Sequence, residues 1–233
     1  MAGRPCPWQK PAMSRPPPEE PPRPPAFDAA FRDGFGRLLA WRRDVRRFRT
    51  DPLPEGAFER LVALACLAPS VGLSQPWRFV AVDAPSRRQA VRDDFARCNA
   101  KALAAQAPDR AALYGRLKLA GLDEAPCQFA LFADQDPVQG GGLGRLTMPE
   151  TAAYSAVMAV HTLWLAARAE GIGLGWVSIL DPAAVAAALE VPPAWTFIGY
   201  FCLGFPREED DAPALERLGW ERRADPACAI LRR

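Results

Sequence analysis

Arginine fills four of the six positions from Arg42 to Arg47, and Asp44 sits among them in the run Arg42-Arg43-Asp44-Val45-Arg46-Arg47-Phe48. Guanidiniums gathered at a chain turn form an anion trap, because each planar fork matches the geometry of a phosphate. A carboxylate repels such an anion. Asp44 is therefore either the ion-pair partner of an arginine or a group with a chemical task beside the ligand. The ordinary alternative is a solvated charge run at a helix end. Trp41 and Phe48 bracket the run, however, so it leaves an apolar helix and re-enters packed structure.

Other candidate chemistry is sparse. Gly171-Ile172-Gly173-Leu174-Gly175 resembles a dinucleotide fingerprint only in its glycines, since that motif needs a strand before it and a helix after it; here the order is reversed. The spacing instead suits a tight helix-to-strand turn that lets backbone approach a flat ligand. On the strand that follows, Ser178 alternates with Val177 and faces a cavity where its hydroxyl can exchange a proton. The single histidine, His161, lies mid-helix among apolar residues and reads as a core or interface side chain. One histidine removes His-rich zinc sites, and no metal site is expected. Six cysteines show no CxxC pair; most lie in apolar segments and read as buried thiols of a reducing compartment. Walker, HExxH and paired-carboxylate patterns are missing from the sequence.

The elements that must position these residues follow from periodicity. With 233 residues and a net charge of +2, the chain suits one domain and carries too little charge for a nucleic-acid surface. No apolar stretch of about 20 residues suggests a membrane span, and no leader pattern is seen, so a cytoplasmic protein is expected. Residues 1–25 hold ten prolines and read as a disordered or polyproline extension, leaving 26–233 as the folded domain. Phe27, Phe31, Phe35, Leu38 and Leu39 predict an amphipathic helix ending at the arginine run. A second helix after Pro54 presents Phe58, Leu61, Val62, Ala65 and Leu67. Helices are predicted over 85–106, 109–120 and 150–170, the last closed by Gly171, with a short helix capped by Asp181-Pro182. Strands are predicted over 78–83, 127–133, 174–180 and 196–203. Gly140 to Gly144 reads as a mobile, lid-like loop. Apolar strands separated by helices imply an α+β sandwich, a central mixed sheet covered on both faces.

An arginine-bound anion, a glycine-flanked turn and the segment Pro69-Ser70-Val71-Gly72 leading to Gln75-Pro76-Trp77 would together serve an organic phosphate carrying a flat ring. At this point the chain resembles the nitroreductase superfamily of flavoproteins, through its Arg-Arg-x-x-Arg-x-Phe cluster, Ala68-Pro69-Ser70 and Gln75-Pro76-Trp77, over about residues 30–206. Within that superfamily it is most similar to the branch that destroys its own reduced FMN. The segments Leu117-Lys118-Leu119-Ala120-Gly121, Glu124-Ala125-Pro126, Leu163 to Gly171 and Gly175-Trp176-Val177-Ser178-Ile179 carry that likeness, together with Asp44, where ordinary nitroreductases usually have serine. Ala120 departs from the acidic residue expected there.

The resemblance implies a homodimer with two interfacial FMN sites. It places Arg42, Arg43, Asp44, Val45 and Arg46 at the phosphate and ribityl chain, Ser70 and Leu119 on the flavin, and Ser178 near the reactive edge. It implies that reduced FMN and O2 yield 5,6-dimethylbenzimidazole, the cobalamin lower ligand, and erythrose 4-phosphate. Asp44 would act as base and Ser178 as proton relay. Reduced flavin would come from NAD(P)H or from a separate flavin reductase. Two other readings are an NAD(P)H-dependent nitroreductase or flavin reductase that releases intact FMN, and a non-catalytic flavin-binding adaptor using its proline-rich arm.

Overall fold

The computed structural model describes residues 24–233, so the proline-rich extension expected over 1–25 lies almost wholly outside the described residues. Contacts divide the chain into two units, one through Phe35 and the other from Gly36 to Arg233. The first helix, α1 (Ala29–Trp41), begins in the former and ends in the latter. Asp28 caps it, its carboxylate accepting the Phe31 N–H at 2.8 Å. Phe27, Phe31 and Phe35 form the predicted stripe but remain exposed, and no residue of α1 is buried.

In the second unit, β1 (Trp77–Ala81), β2 (Cys127–Asp134), β3 (Gly173–Val177) and β4 (Trp195–Gly204) form one sheet in the order β1-β2-β4-β3, each pair antiparallel. A parallel bridge from Asp44 to Leu174 gives the β3 edge its mixed character. Both faces of β2 and β4 are covered, which is why these strands read as continuous apolar runs. Phe129, Leu131, Phe201 and Leu203 point to one core with α2 (Ala57–Ala65) and α5 (Thr151–Ala169). Ala130, Phe132, Tyr200 and Cys202 point to the other, with Val91 of α3 (Pro85–Ala104) and Val185 of α6 (Pro182–Leu189). Between these lie α4 (Pro108–Tyr114) and, after β4, α7 (Ala214–Arg217).

Gly171, at φ +72°, ends α5 as predicted: the Ile172 N–H reaches Ala167 O at 2.9 Å and the Gly171 N–H reaches Arg168 O at 3.0 Å. The Asp181 carboxylate caps α6 through the Ala183 N–H at 2.9 Å. Three expectations need correction. Helix α2 stops at Ala65, so Leu67 is 78% exposed. The predicted helix over 109–120 ends at Tyr114, where Gly115 begins a loop. Strand β3 ends at Val177, the last residue paired with β4, so Ser178 lies beyond it.

Candidate functional site

The arginine run is built into the sheet edge. Just after α1 the Val45 N–H donates to Leu174 O at 3.0 Å, and the Trp176 N–H donates to Asp44 Oδ1 at 2.9 Å. This close approach explains the glycines of β3. A Cβ at Gly173 would meet Val45 Cγ2 at 2.7 Å, and one at Gly175 would collide with the Val45 carbonyl. The glycines thus admit the chain's own backbone. On the other side the Arg49 N–H donates to Phe205 O at 2.8 Å and the Arg207 N–H to Arg47 O at 3.0 Å. Phe48 is fully buried between these supports.

The guanidiniums have separate duties. Arg46 divides its fork between the Asp44 carboxylate and the Leu119 carbonyl, which brings together three of the predicted site residues. Arg42 lies over the Trp164 ring, 4.9 Å from its centroid, while the indole N–H donates to Arg43 O at 3.0 Å. Arg47 is exposed, and neither it nor Arg42 has a carboxylate partner among the described residues. Arg43 differs. Its donors go to the carbonyls of Asp210 at 3.1 Å, Arg42 at 2.6 Å, Ala40 and Asp211. Burial, followed by the charges of Arg223 and Arg42, lowers its pKa from the usual arginine range. The expectation that its side chain grips phosphate does not match this placement.

Leu119, expected at the end of the helix predicted over 109–120, lies instead in the loop after α4. Buried Gln128 holds it by donating to Leu122 O at 2.8 Å and Ala125 O at 3.3 Å, and accepts the Tyr200 hydroxyl at 2.9 Å. Burial pushes the Tyr200 phenol well above its usual range. Gly121 rests against the Phe48 ring, where a Cβ could not fit. Ala120 is buried at 6% exposure in the second core, a position where a carboxylate would need its own partner.

Ser70 stands in a different setting. Its hydroxyl accepts the Gln75 N–H at 3.1 Å, and Ser155 of α5 accepts the Val71 N–H at 3.1 Å. Gly72, Leu73 and Gln75 all have positive φ, a local strain that concentrates in binding loops. The glycine loop expected to be a lid is docked on this segment: Gln139 donates to Leu73 O at 2.6 Å, and a Cβ at Gly140 would meet Gly72 O at 2.7 Å. Ser178 is exposed just past the end of β3, not on the strand, two residues after Trp176. His161 is exposed on α5 in line with Tyr154, Val157 and Met158, which removes the core half of its core-or-interface reading and leaves the interface half. Of the cysteines described, only Cys202 is buried; Cys228 is exposed and the others are half-buried.

The helix-covered sheet thus carries an arginine cluster, an acid within it and a strained serine loop. The chain belongs to the nitroreductase family, which it matches over residues 39–205. It is 61% identical over 199 residues to a 5,6-dimethylbenzimidazole synthase of Rhodospirillum rubrum, covering 85% of this chain and 94% of that one. It is 49% identical to a protein of the same name from Rhodobacter capsulatus, covering 84% and 94%. At 33% identity it also matches an NADH dehydrogenase of Thermus thermophilus, covering 72% and 84%. Among solved structures, iodotyrosine deiodinase bound to FMN and 3-iodo-L-tyrosine shares the fold with a TM-score of 0.64 at 22% identity, covering 76% and 91%. No helix among the described residues is long and apolar enough to cross a membrane.

Proposed function

We propose that this protein fragments reduced FMN with O2 to 5,6-dimethylbenzimidazole and erythrose 4-phosphate, the pyrimidine ring of the flavin leaving as a third fragment, in the cytoplasm and as a homodimer with two shared sites. The 61% identity to a named synthase is the observation that carries this reading. The residues suit the group. Arg42, stacked on Trp164, and exposed Arg47 offer guanidiniums without carboxylate partners, as an incoming phosphate needs. Reduced flavin supplies the electrons for the oxygen chemistry. Asp44 has one oxygen on Arg46 and the other on the Trp176 N–H, so its position is fixed where the cluster would hold the sugar chain. There it takes a proton as base, and Ser178, exposed beyond the strand end, relays it. Leu119, Val45 and Ser70 would line the ring and ribityl chain.

Two observations support a shared site. Ser70 is held by the α5 side of the molecule and not by the Asp44 cluster, and the exposed face of α5 carries Tyr154, Val157, Met158 and His161 at i, i+3, i+4 and i+7. A separate flavin reductase or NAD(P)H supplies the electrons. The test is chromatography after mixing the protein with reduced FMN in air. Dimethylbenzimidazole is the expected product; quantitative recovery of oxidised FMN would sink the reading in favour of a nitroreductase or flavin reductase, a choice that the Thermus relative keeps in view.

A further inference from the structure

The segment after β4 is tied to the arginine run by a series of arginines. Arg207 donates from Nε to Phe48 O at 2.8 Å. Arg168 grips Glu209 through two bonds, at 2.7 and 3.1 Å. Arg43 takes the carbonyls of Asp210 and Asp211, and Arg217 pairs with the Asp210 carboxylate at 3.0 Å. A small hollow lies beneath, bounded by Val45, Trp164, Arg168 and Glu209.

We propose that Glu208–Asp211 is a strap that sets the flavin site, and that Arg43 is a positioning residue acting through it instead of a phosphate ligand. The inference rests on the proposed flavin site. A phosphate reaching the Arg43 guanidinium would have to displace four main-chain carbonyls. Arg43 is coupled to the working groups through its backbone. Its carbonyl accepts the Trp164 indole N–H, on whose ring Arg42 lies, and the next residue is Asp44. Releasing the strap would free the Arg43 side chain and loosen Arg42 and Asp44 together.

The test compares wild type with Arg43→Ala, Arg43→Lys and Glu209→Ala. The readouts are affinity for FMN and for riboflavin, the ratio of dimethylbenzimidazole to recovered FMN, and the rate of trypsin cleavage after Arg217. If the strap reading holds, Arg43→Ala and Glu209→Ala both speed cleavage by about tenfold or more. Both also weaken FMN and riboflavin by the same factor and shift products towards intact FMN. Lysine does not rescue, because it carries the charge without the fork. A phosphate ligand would behave differently: Arg43→Ala would weaken FMN but not riboflavin, lysine would restore it, and Glu209→Ala would change nothing. That pattern overturns the proposal. The trypsin arm needs no flavin, so it judges the strap even if wild type fails to bind FMN; unchanged cleavage in Glu209→Ala overturns the strap by itself. Should Arg43→Ala fail to fold, Arg43→Lys and Glu209→Ala carry the same comparison.

Discussion

Asp44 Oδ1 accepts the backbone N–H of Trp176 at 2.9 Å, a bond between residues 132 positions apart that pins the acid of the arginine run to the third strand. The other oxygen is on Arg46. An asparagine keeps the shape and can still accept the Trp176 N–H through its amide oxygen. Asp44→Asn is therefore expected to retain FMN, or to bind it more tightly because a repulsive charge is gone. Reduced FMN should return to the oxidised form without dimethylbenzimidazole. If the mutant makes product at the wild-type rate in an aerobic product assay, Asp44 is only a structural partner of Arg46.

Arg42 is half-buried and has no carboxylate partner among the described residues. Losing one charge-assisted phosphate contact costs about 1.5–3 kcal/mol, so Arg42→Ala should weaken FMN by about tenfold or more. Riboflavin, which lacks the phosphate, should bind the mutant as it binds wild type. Titration calorimetry with both ligands checks this, and an equal loss for the two would remove Arg42 from the phosphate site.

How much of this was legible depended on the range of each interaction. Helix α5 was readable from its apolar pattern and Gly171, and β2 and β4 from their continuous apolar runs, because these signals are local. The arginine run was readable for the same reason. Arg43's duty was hidden because two of its acceptors are main-chain carbonyls 167 and 168 residues away, which carry no residue signature. The Gln128–Tyr200 pair that supports the Leu119 loop was equally remote. Ser178 was placed on a strand because its own residues look extended; where β3 ends depends on β4, whose last partner is Tyr200 opposite Val177. Gly173 and Gly175 did hold a usable signal. Two glycines on one face of a strand mark a second backbone passing close by.

That signal makes a sharp prediction. A methyl group at Gly175 would strike the Val45 carbonyl, a backbone atom that cannot swing aside. Gly175→Ala must push the Asp44–Val45 segment off β3, breaking the Val45–Leu174 and Trp176–Asp44 bonds. Flavin affinity and melting temperature should both fall. Gly36→Ala, in α1 with nothing within 4 Å of its added Cβ, serves as the control and should be neutral or stabilising by up to about 1 kcal/mol. Equal melting temperatures for the two variants would contradict the close packing at β3.

Alkaline pH should destabilise the fold through its sheet thiols. Burial pushes Cys202 up to about 12 and Cys127 up to about 11. An unfolded thiol ionises near 8.5. The folded values are the higher ones, so between these limits the unfolded state holds fewer protons and stability falls as pH rises. Each group contributes about a tenfold loss in the folding equilibrium per pH unit in its window. Denaturant midpoints should be flat through neutral pH and decline above about 9. Cys202→Ala, although less stable from its cavity, should decline less steeply; identical slopes would show that the thiol is not the cause. Native protein at pH 8 should likewise leave Cys202 unmodified by a thiol reagent that labels exposed Cys228.

The shared site can be tested by complementation. Tyr154, Met158 and Val157 expose 55%, 47% and 37% of their surface along one face of α5, and Ser155 on the same helix holds the Ser70 loop through the Val71 N–H. If that face joins two chains, it carries Ser70 towards the partner's arginine run. Met158→Asp should then shift sedimentation towards monomer and lower flavin affinity with it, since a charge in an apolar interface lacks a partner. Mixing two defective variants asks the finer question. Chains carrying Arg42→Ala and chains carrying Ser70→Ala each form dimers with two damaged sites. In a mixed dimer whose sites draw Arg42 from one chain and Ser70 from the other, both lesions fall in one site and the second site is intact. Random exchange of equal amounts should therefore restore about a quarter of all sites. If each site takes both residues from one chain, every site in the mixed dimer stays damaged and no activity returns.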